Sequence, residues 1–139
     1  IAILAIGAPV AKAQEAAEQL TQRGHSVSVV NARFVKPLDK GMLNDLAALN
    51  CPIITVEENA LAGGFGSAVL EYYEMVGLDV RVKRIGIPDK FIAHGSVKEL
   101  HAELGLTTEG ILQEALKLLT NPTAREEVAG IKETISPDA

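Results

Sequence analysis

Short runs dense in apolar residues alternate along this chain with longer segments whose apolar positions recur every three or four residues. Ile1 to Ile6 is apolar throughout, as in a strand covered on both faces, and Gly7-Ala8-Pro9 ends it. Val10, Ala13, Ala17 and Leu20 follow at helical spacing, with Lys12, Glu15, Glu18 and Arg23 turned away and Gly24 placed as the stop. Ser26 to Val30 alternates like a half-exposed strand. Asp39 is placed to cap a helix carrying Met42, Leu43, Leu46 and Leu49. Pro52 to Val56 is a second apolar strand and runs into Glu57-Glu58-Asn59. The loop 60–64 feeds a helix with Phe65, Ala68, Val69, Tyr72 and Val76 on one face, closed by Gly77. Val80 to Ile85 alternates again, which predicts an edge strand whose solvated face carries Arg81, Lys83 and Arg84. A loop from Pro88 to Gly95 leads to Ser96-Val97-Lys98-Glu99, a capping box opening a short helix that Gly105 stops. Thr107 or Thr108 caps a last helix with Ile111, Leu112, Ala115 and Leu119.

Four strand–helix alternations predict an α/β fold of three layers, α/β/α, around a mainly parallel sheet. The two apolar strands belong in the middle and the two alternating ones outside. Right-handed crossovers then give the strand order 2-1-3-4. A crevice is expected where the order reverses, at the carboxyl ends of strands 1 and 3, between Gly7–Pro9 and Glu57–Gly64. The domain is expected to cover residues 1–119. Residues 120–139 form a tail in which Val128, Ile131 and Ile135 outline a docking helix interrupted by Gly130. The chain opens on a core strand without a methionine, so a piece of a longer protein is expected.

Composition narrows the chemistry. Of 139 residues, 13 are Lys or Arg and 18 Asp or Glu, a formal net charge of −5, which disfavours a nucleic-acid partner. The acidic excess lies in residues 96–139, with 4 basic and 8 acidic side chains against 9 and 10 upstream. With no Trp, two Tyr and three Phe, stacking platforms for bases are scarce. No apolar run approaches the roughly 18 residues of a membrane span, and no leader pattern opens the chain. One cysteine, Cys51, excludes an internal disulfide framework and is expected to be a buried, inert thiol.

The candidate crevice residues are Glu57, Glu58, Asn59, Gly63, Gly64, Phe65 and His94. Gly63-Gly64-Phe65-Gly66-Ser67 opens a helix whose free amides suit either an anion or a nearby carboxylate, and one of the two glutamates is the expected occupant. Strand alternation sends Glu57 and Glu58 to opposite faces, so they are not a paired acid and base. Phe65 is expected to be partly exposed and to face another domain. His94, in a loop with Asp89, is the best placed of the three histidines for a contact, whereas His25 and His101 have no acidic partner at triad or ligand spacing. No nucleophile–base pair, metal cluster or cofactor motif stands in the chain, so no catalytic, cofactor-binding or metal-ligating residue is assigned.

The motifs taken in order are Ala5-Ile6-Gly7, Ala32 to Asp39, Thr55 to Asn59, Gly63 to Val69, Gly86 to Ile92 and His94-Gly95. Together they resemble the C-terminal domain of 1-deoxy-D-xylulose-5-phosphate synthases. The Glu-Glu and Gly-Gly-Phe-Gly elements are shared with transketolases and the β subunits of 2-oxoacid dehydrogenases. Arg33 to Asp39, and Pro88 to Phe91 with His94-Gly95, point to the synthase. The resemblance implies a transferase that condenses pyruvate with glyceraldehyde 3-phosphate on thiamine diphosphate and Mg²⁺, releasing CO₂ and feeding isoprenoid and thiamine synthesis. It also implies a homodimer in the cytoplasm, or in the plastid of a plant. The family's cofactor and catalytic residues lie in two upstream domains, and none maps onto this chain. Its antiparallel first strand is absent here too. The fragment is therefore expected to be a structural and interface domain, inactive and cofactor-free alone, whose partners are the upstream domains and a dimer mate. The alternative from another class is a regulatory module that binds a small anion at Gly63–Ser67.

Overall fold

The first apolar run becomes β1 (Ala2–Ala5), and all four of its residues are buried. In this computed structural model, which describes residues 1–89 and 95–121, β1 pairs in parallel with two neighbours. These are β2 (Ser28–Asn31) and β3 (Ile53–Ala60); β4 (Val82–Ile87) adds in parallel outside β3. The order is β2-β1-β3-β4, the one that the apolar pattern predicts. Ile3 sits between Val29 and Ile54 in this register.

Three strands run differently from their sequence patterns, and β2 starts at Ser28 instead of Ser26. β3 does not stop at Val56 but carries Glu57-Glu58-Asn59 on to Ala60, which pairs with Ile87 after an irregularity in the ladder. β4 accordingly begins and ends two residues later than its alternation implies. The polar residues hid the extension because a strand end and a loop look alike in hydropathy.

Helices close both faces of the sheet. α1 (Pro9–Gln22) and α5 (Thr108–Thr120) cover one side, where Ala13, Ala16, Leu20, Ile111, Leu112 and Ala115 pack on Ile3, Ile54 and Val56. Alanines at 13 and 16, both with no exposed surface, allow α1 close to the sheet. α2 (Lys40–Ala48) and α3 (Phe65–Val76) cover the other side with Leu43, Leu46, Phe65, Val69, Tyr72 and Tyr73. A fully buried Leu, Ile or Phe contributes about 1.5–3 kcal/mol, so these two layers hold the sheet. The short α4 (Val97–Glu103) buries none of its residues.

The helix starts follow their caps. Asp39 accepts from the Met42 amide, Ser96 and Glu99 form the full capping box, and Thr107 accepts from the Gly110 amide. Three apolar positions differ from expectation. Leu49 is the C-cap of α2 and is 58% exposed, and Val76, the last residue of α3, is also exposed. In α5 it is Leu118 that is buried, with Leu119 partly so. Tyr73 takes the place expected of Val76, because 3.6-residue spacing from Val69 reaches 72 and 73 together. The proposed docking helix of the tail lies outside the described residues. No described helix is long and apolar enough to cross a membrane.

Two tyrosines lock α3 to α2: the Tyr73 hydroxyl donates to the Leu43 carbonyl at 2.8 Å and that of Tyr72 to Asn44 Oδ1 at 2.9 Å. Burial, then the neighbouring Tyr72 and Cys51, push the Tyr73 phenol from 10.0 up to about 12. The unfolded chain loses this proton first, so the associated stability is complete below the ordinary tyrosine range and is lost as pH climbs toward the raised value. Ultraviolet titration of the folded protein is expected to show a phenolate step near pH 12 that disappears in Tyr73→Phe. A Tyr73 step in the ordinary range contradicts this packing.

Candidate functional site

The period of β3 decides where its polar residues go. Ile53, Thr55 and Glu57 face α2 and α3, whereas Ile54, Val56 and Glu58 face α1 and α5. Glu57 has no exposed surface. Its Oε2 accepts the Phe65 amide at 2.7 Å and its Oε1 the Gly66 amide at 2.8 Å. One carboxylate thus satisfies two of the amides that the first turn of α3 leaves without helical partners. Both bonds are charge-assisted, and the helix N-terminus favours the negative charge.

The glycines make room for it. At Gly64 a Cβ would lie 2.3 Å from the Ala60 carbonyl oxygen and 2.5 Å from Glu57 Oε2. At Gly66 it would lie 2.5 Å from Thr55 Oγ1, and at Gly86 3.1 Å from Glu57 Cγ. Gly63, with φ of +68°, turns the chain into the helix. The Ser67 hydroxyl donates to the Leu61 carbonyl and accepts from Arg84 Nη1 at 2.9 Å. This glycine motif is a seat for a carboxylate of the same chain.

Glu58, on the opposite face, lies 3.4 Å from His101 Nε2. His101 Nδ1 lies 3.1 Å from Lys12 Nζ, which also donates to the Leu106 carbonyl at 3.0 Å. The acidic partner of His101 is 43 positions upstream in sequence, out of reach of any spacing rule. This contact ties α4 to the end of β3. Asn59 and Gly63 are exposed, and His94 lies outside the described residues.

The family described as "Transketolase, C-terminal domain" matches residues 1–111. The chain belongs to the transketolase C-terminal domain family. It is 47% identical over 124 residues to a 1-deoxy-D-xylulose-5-phosphate synthase of Shouchella clausii, covering 89% of this chain and 20% of the relative. A synthase of the same name from a Geobacillus species is 50% identical over 126 residues, covering 90% of this chain and 20% of the relative. The chain therefore spans about a fifth of the length of these relatives. A solved chain described as a split-gene transketolase in an inactive β4 tetramer superposes with a TM-score of 0.77 at 34% identity, over 86% of this chain and 39% of that one. Campylobacter jejuni transketolase shares the fold, with a TM-score of 0.56 at 22% identity over 84% of this chain and 16% of that one.

The resemblance implies thiamine diphosphate and Mg²⁺ for the longer protein. No described group of three or more His, Cys, Asp or Glu could hold a metal ion. Two amides at the start of α3, those of Phe65 and Gly66, are occupied by Glu57. Phe65 is 1% exposed, so its expected role as a side chain facing another domain is corrected. The glycine-rich turn aims it inward, where it packs with Leu43, Val69 and Tyr73 in the α2–α3 layer.

The cations in and just before β4 are corrected as well. Arg81 Nη2 donates to the Asn121 carbonyl at 2.7 Å, Lys83 pairs with Glu114 at 3.7 Å, and Arg84 reaches Ser67. They fasten the edge strand to α5 and α3 instead of lining a solvated face, because their long stems can lie along the helices that flank the sheet. Cys51 is half-buried, not buried, since it precedes β3 at the rim of the layer.

Glu57→Gln keeps the side-chain shape but turns one acceptor into a donor facing an amide donor. The expected cost is about 1–3 kcal/mol, read as a lower urea midpoint at unchanged m. Glu58→Gln, at the surface, is expected to cost about 0–1 kcal/mol. An effect at Glu58 equal to or larger than that at Glu57 contradicts this reading of the site.

Proposed function

We propose that this chain is the C-terminal domain of a thiamine-diphosphate-dependent 1-deoxy-D-xylulose-5-phosphate synthase. In that reading it builds the assembly but contributes no group to the chemistry. The observation that carries it is the buried Glu57, whose two carboxylate oxygens are each taken by a backbone amide of this same chain. The identity to synthases of this name, near one half over most of the chain, supports the substrate pair pyruvate and glyceraldehyde 3-phosphate. Thiamine diphosphate supplies the electron sink for decarboxylation in such enzymes. Its seat, and that of Mg²⁺, belongs in this reading to the four-fifths of the relatives' length that the chain does not span. What this chain's residues do is mechanical. Glu57 fastens β3 to α3, Arg84 and Lys83 fasten β4 to the helices, and the surfaces so fixed meet the rest of the protein and its dimer mate.

A transketolase is the second reading, favoured by the 34% identity to the split-gene transketolase chain. Substrate choice separates the two. The longer protein is expected to consume pyruvate with glyceraldehyde 3-phosphate and to lose that activity when this domain is deleted. Turnover of a ketose phosphate donor in place of pyruvate supports the transketolase instead.

Titration of the isolated chain with thiamine diphosphate and Mg²⁺ is expected to give no saturable heat. A dissociation constant near 1 μM, about −8 kcal/mol, contradicts the assignment of the cofactor to other domains.

A further inference from the structure

An unfilled apolar space lies beside the edge strand β2 and reaches Phe65 of the glycine-rich turn. At the carboxyl end of β2 a cavity of about 200 Å³ opens between α2 and α3. Val30, Ala32, Leu38, Met42 and Phe65 line it, and Phe34 stands at its mouth. Phe34 is 70% exposed, so this domain's own core does not use it. An aromatic ring brings 150–250 Å² of apolar surface to a contact, which makes an exposed one beside an apolar cavity a natural anchor pair.

Charge says what kind of partner fits. Within Arg33 to Lys40 stand three cations, Arg33, Lys36 and Lys40, all exposed and without an ion-pair partner among the described residues. The only acid of that stretch, Asp39, is engaged by the Met42 amide at 2.9 Å. This rim is positive on a chain whose net charge is −5. The cavity is also smaller than the roughly 300–1,000 Å³ of cofactor and drug-sized sites, and matches one large side chain.

We propose that this cavity is a socket for an apolar side chain flanked by carboxylates, presented by the part of the longer protein outside this chain. The inference rests on the reading of this chain as one domain of such a protein. About four-fifths of the relatives' length is available to supply the segment. The apolar side chain enters between α2 and α3 and is covered by Phe34. The flanking carboxylates meet Arg33, Lys36 and Lys40, which steer and orient the docking.

The test is photo-crosslinking in the longer protein with a benzophenone amino acid in place of Phe34, whose exposure lets the domain fold around the substitution. Mass spectrometry is expected to find one adduct, on a segment outside residues 1–139 in which Asp or Glu flank an aliphatic or aromatic residue. Reversing charge with Arg33→Glu and Lys36→Glu is expected to lower its yield about fivefold. No adduct, scattered adducts, an adduct on a neutral or basic segment, or one on this same domain of a second copy overturns the proposal. The pyruvate assay on the same preparation keeps the two readings apart. An acidic adduct without synthase activity upholds the socket and overturns the function, and activity without an adduct does the reverse.

Discussion

The Glu57 carboxylate, buried and held by the amides of Phe65 and Gly66, is the contact on which the rest of this domain depends. It is the point where a central strand is joined to the helix that follows it. A charge with no exposed surface is tolerated only when its oxygens are hydrogen-bonded, and here each finds an amide that the helix start would otherwise leave unpaired. The glycines at 64, 66 and 86 are consequences of that arrangement, since a methyl group at any of them would meet the carboxylate or its neighbours. So is the inward aim of Phe65, which turns the first residue of α3 into a core residue.

The same contact bears on function. A glycine-rich turn opening a helix at the carboxyl end of a parallel sheet is where α/β proteins commonly receive a phosphate. Here that position is filled from within, and the free energy that would hold an anion holds β3 to α3 instead. This suits the proposed reading of the chain as a structural domain of a longer protein. Its surface carries the features to match: an exposed Phe34 beside an apolar cavity, and a cationic loop on an acidic chain.

Much of the fold was legible because burial on two faces leaves a plain record in sequence. The unbroken run Ile1 to Ile6 and the alternation of Ser26 to Val30 were enough to place one strand inside and the other outside, and so to order the sheet. Asp39, Ser96 and Thr107 announced their helices because capping is local chemistry. The continuation of β3 to Ala60 was not legible, since Glu57 to Asn59 are polar and only the pairing of Ala60 with Ile87 shows them to be strand. Alternation correctly separated Glu57 from Glu58, but the meeting of Glu58 with His101 depends on how α4 returns over the sheet. Phe65 was misread because a helix-opening aromatic after two glycines looks the same in sequence whether it points in or out. The cavity beside Phe34 left no mark at all, because its walls come from a strand, a loop and two helices.

Whether the helix end is filled is open to a direct measurement. The backbone amide signals of Phe65, Gly66 and Ser67 can be followed while phosphate or sulfate is added. With Glu57 in place the Phe65 and Gly66 amides already have their acceptors, so no localised, saturable shift is expected. Saturation below about 1 mM, roughly −4 kcal/mol, would contradict the account and make this turn an anion site.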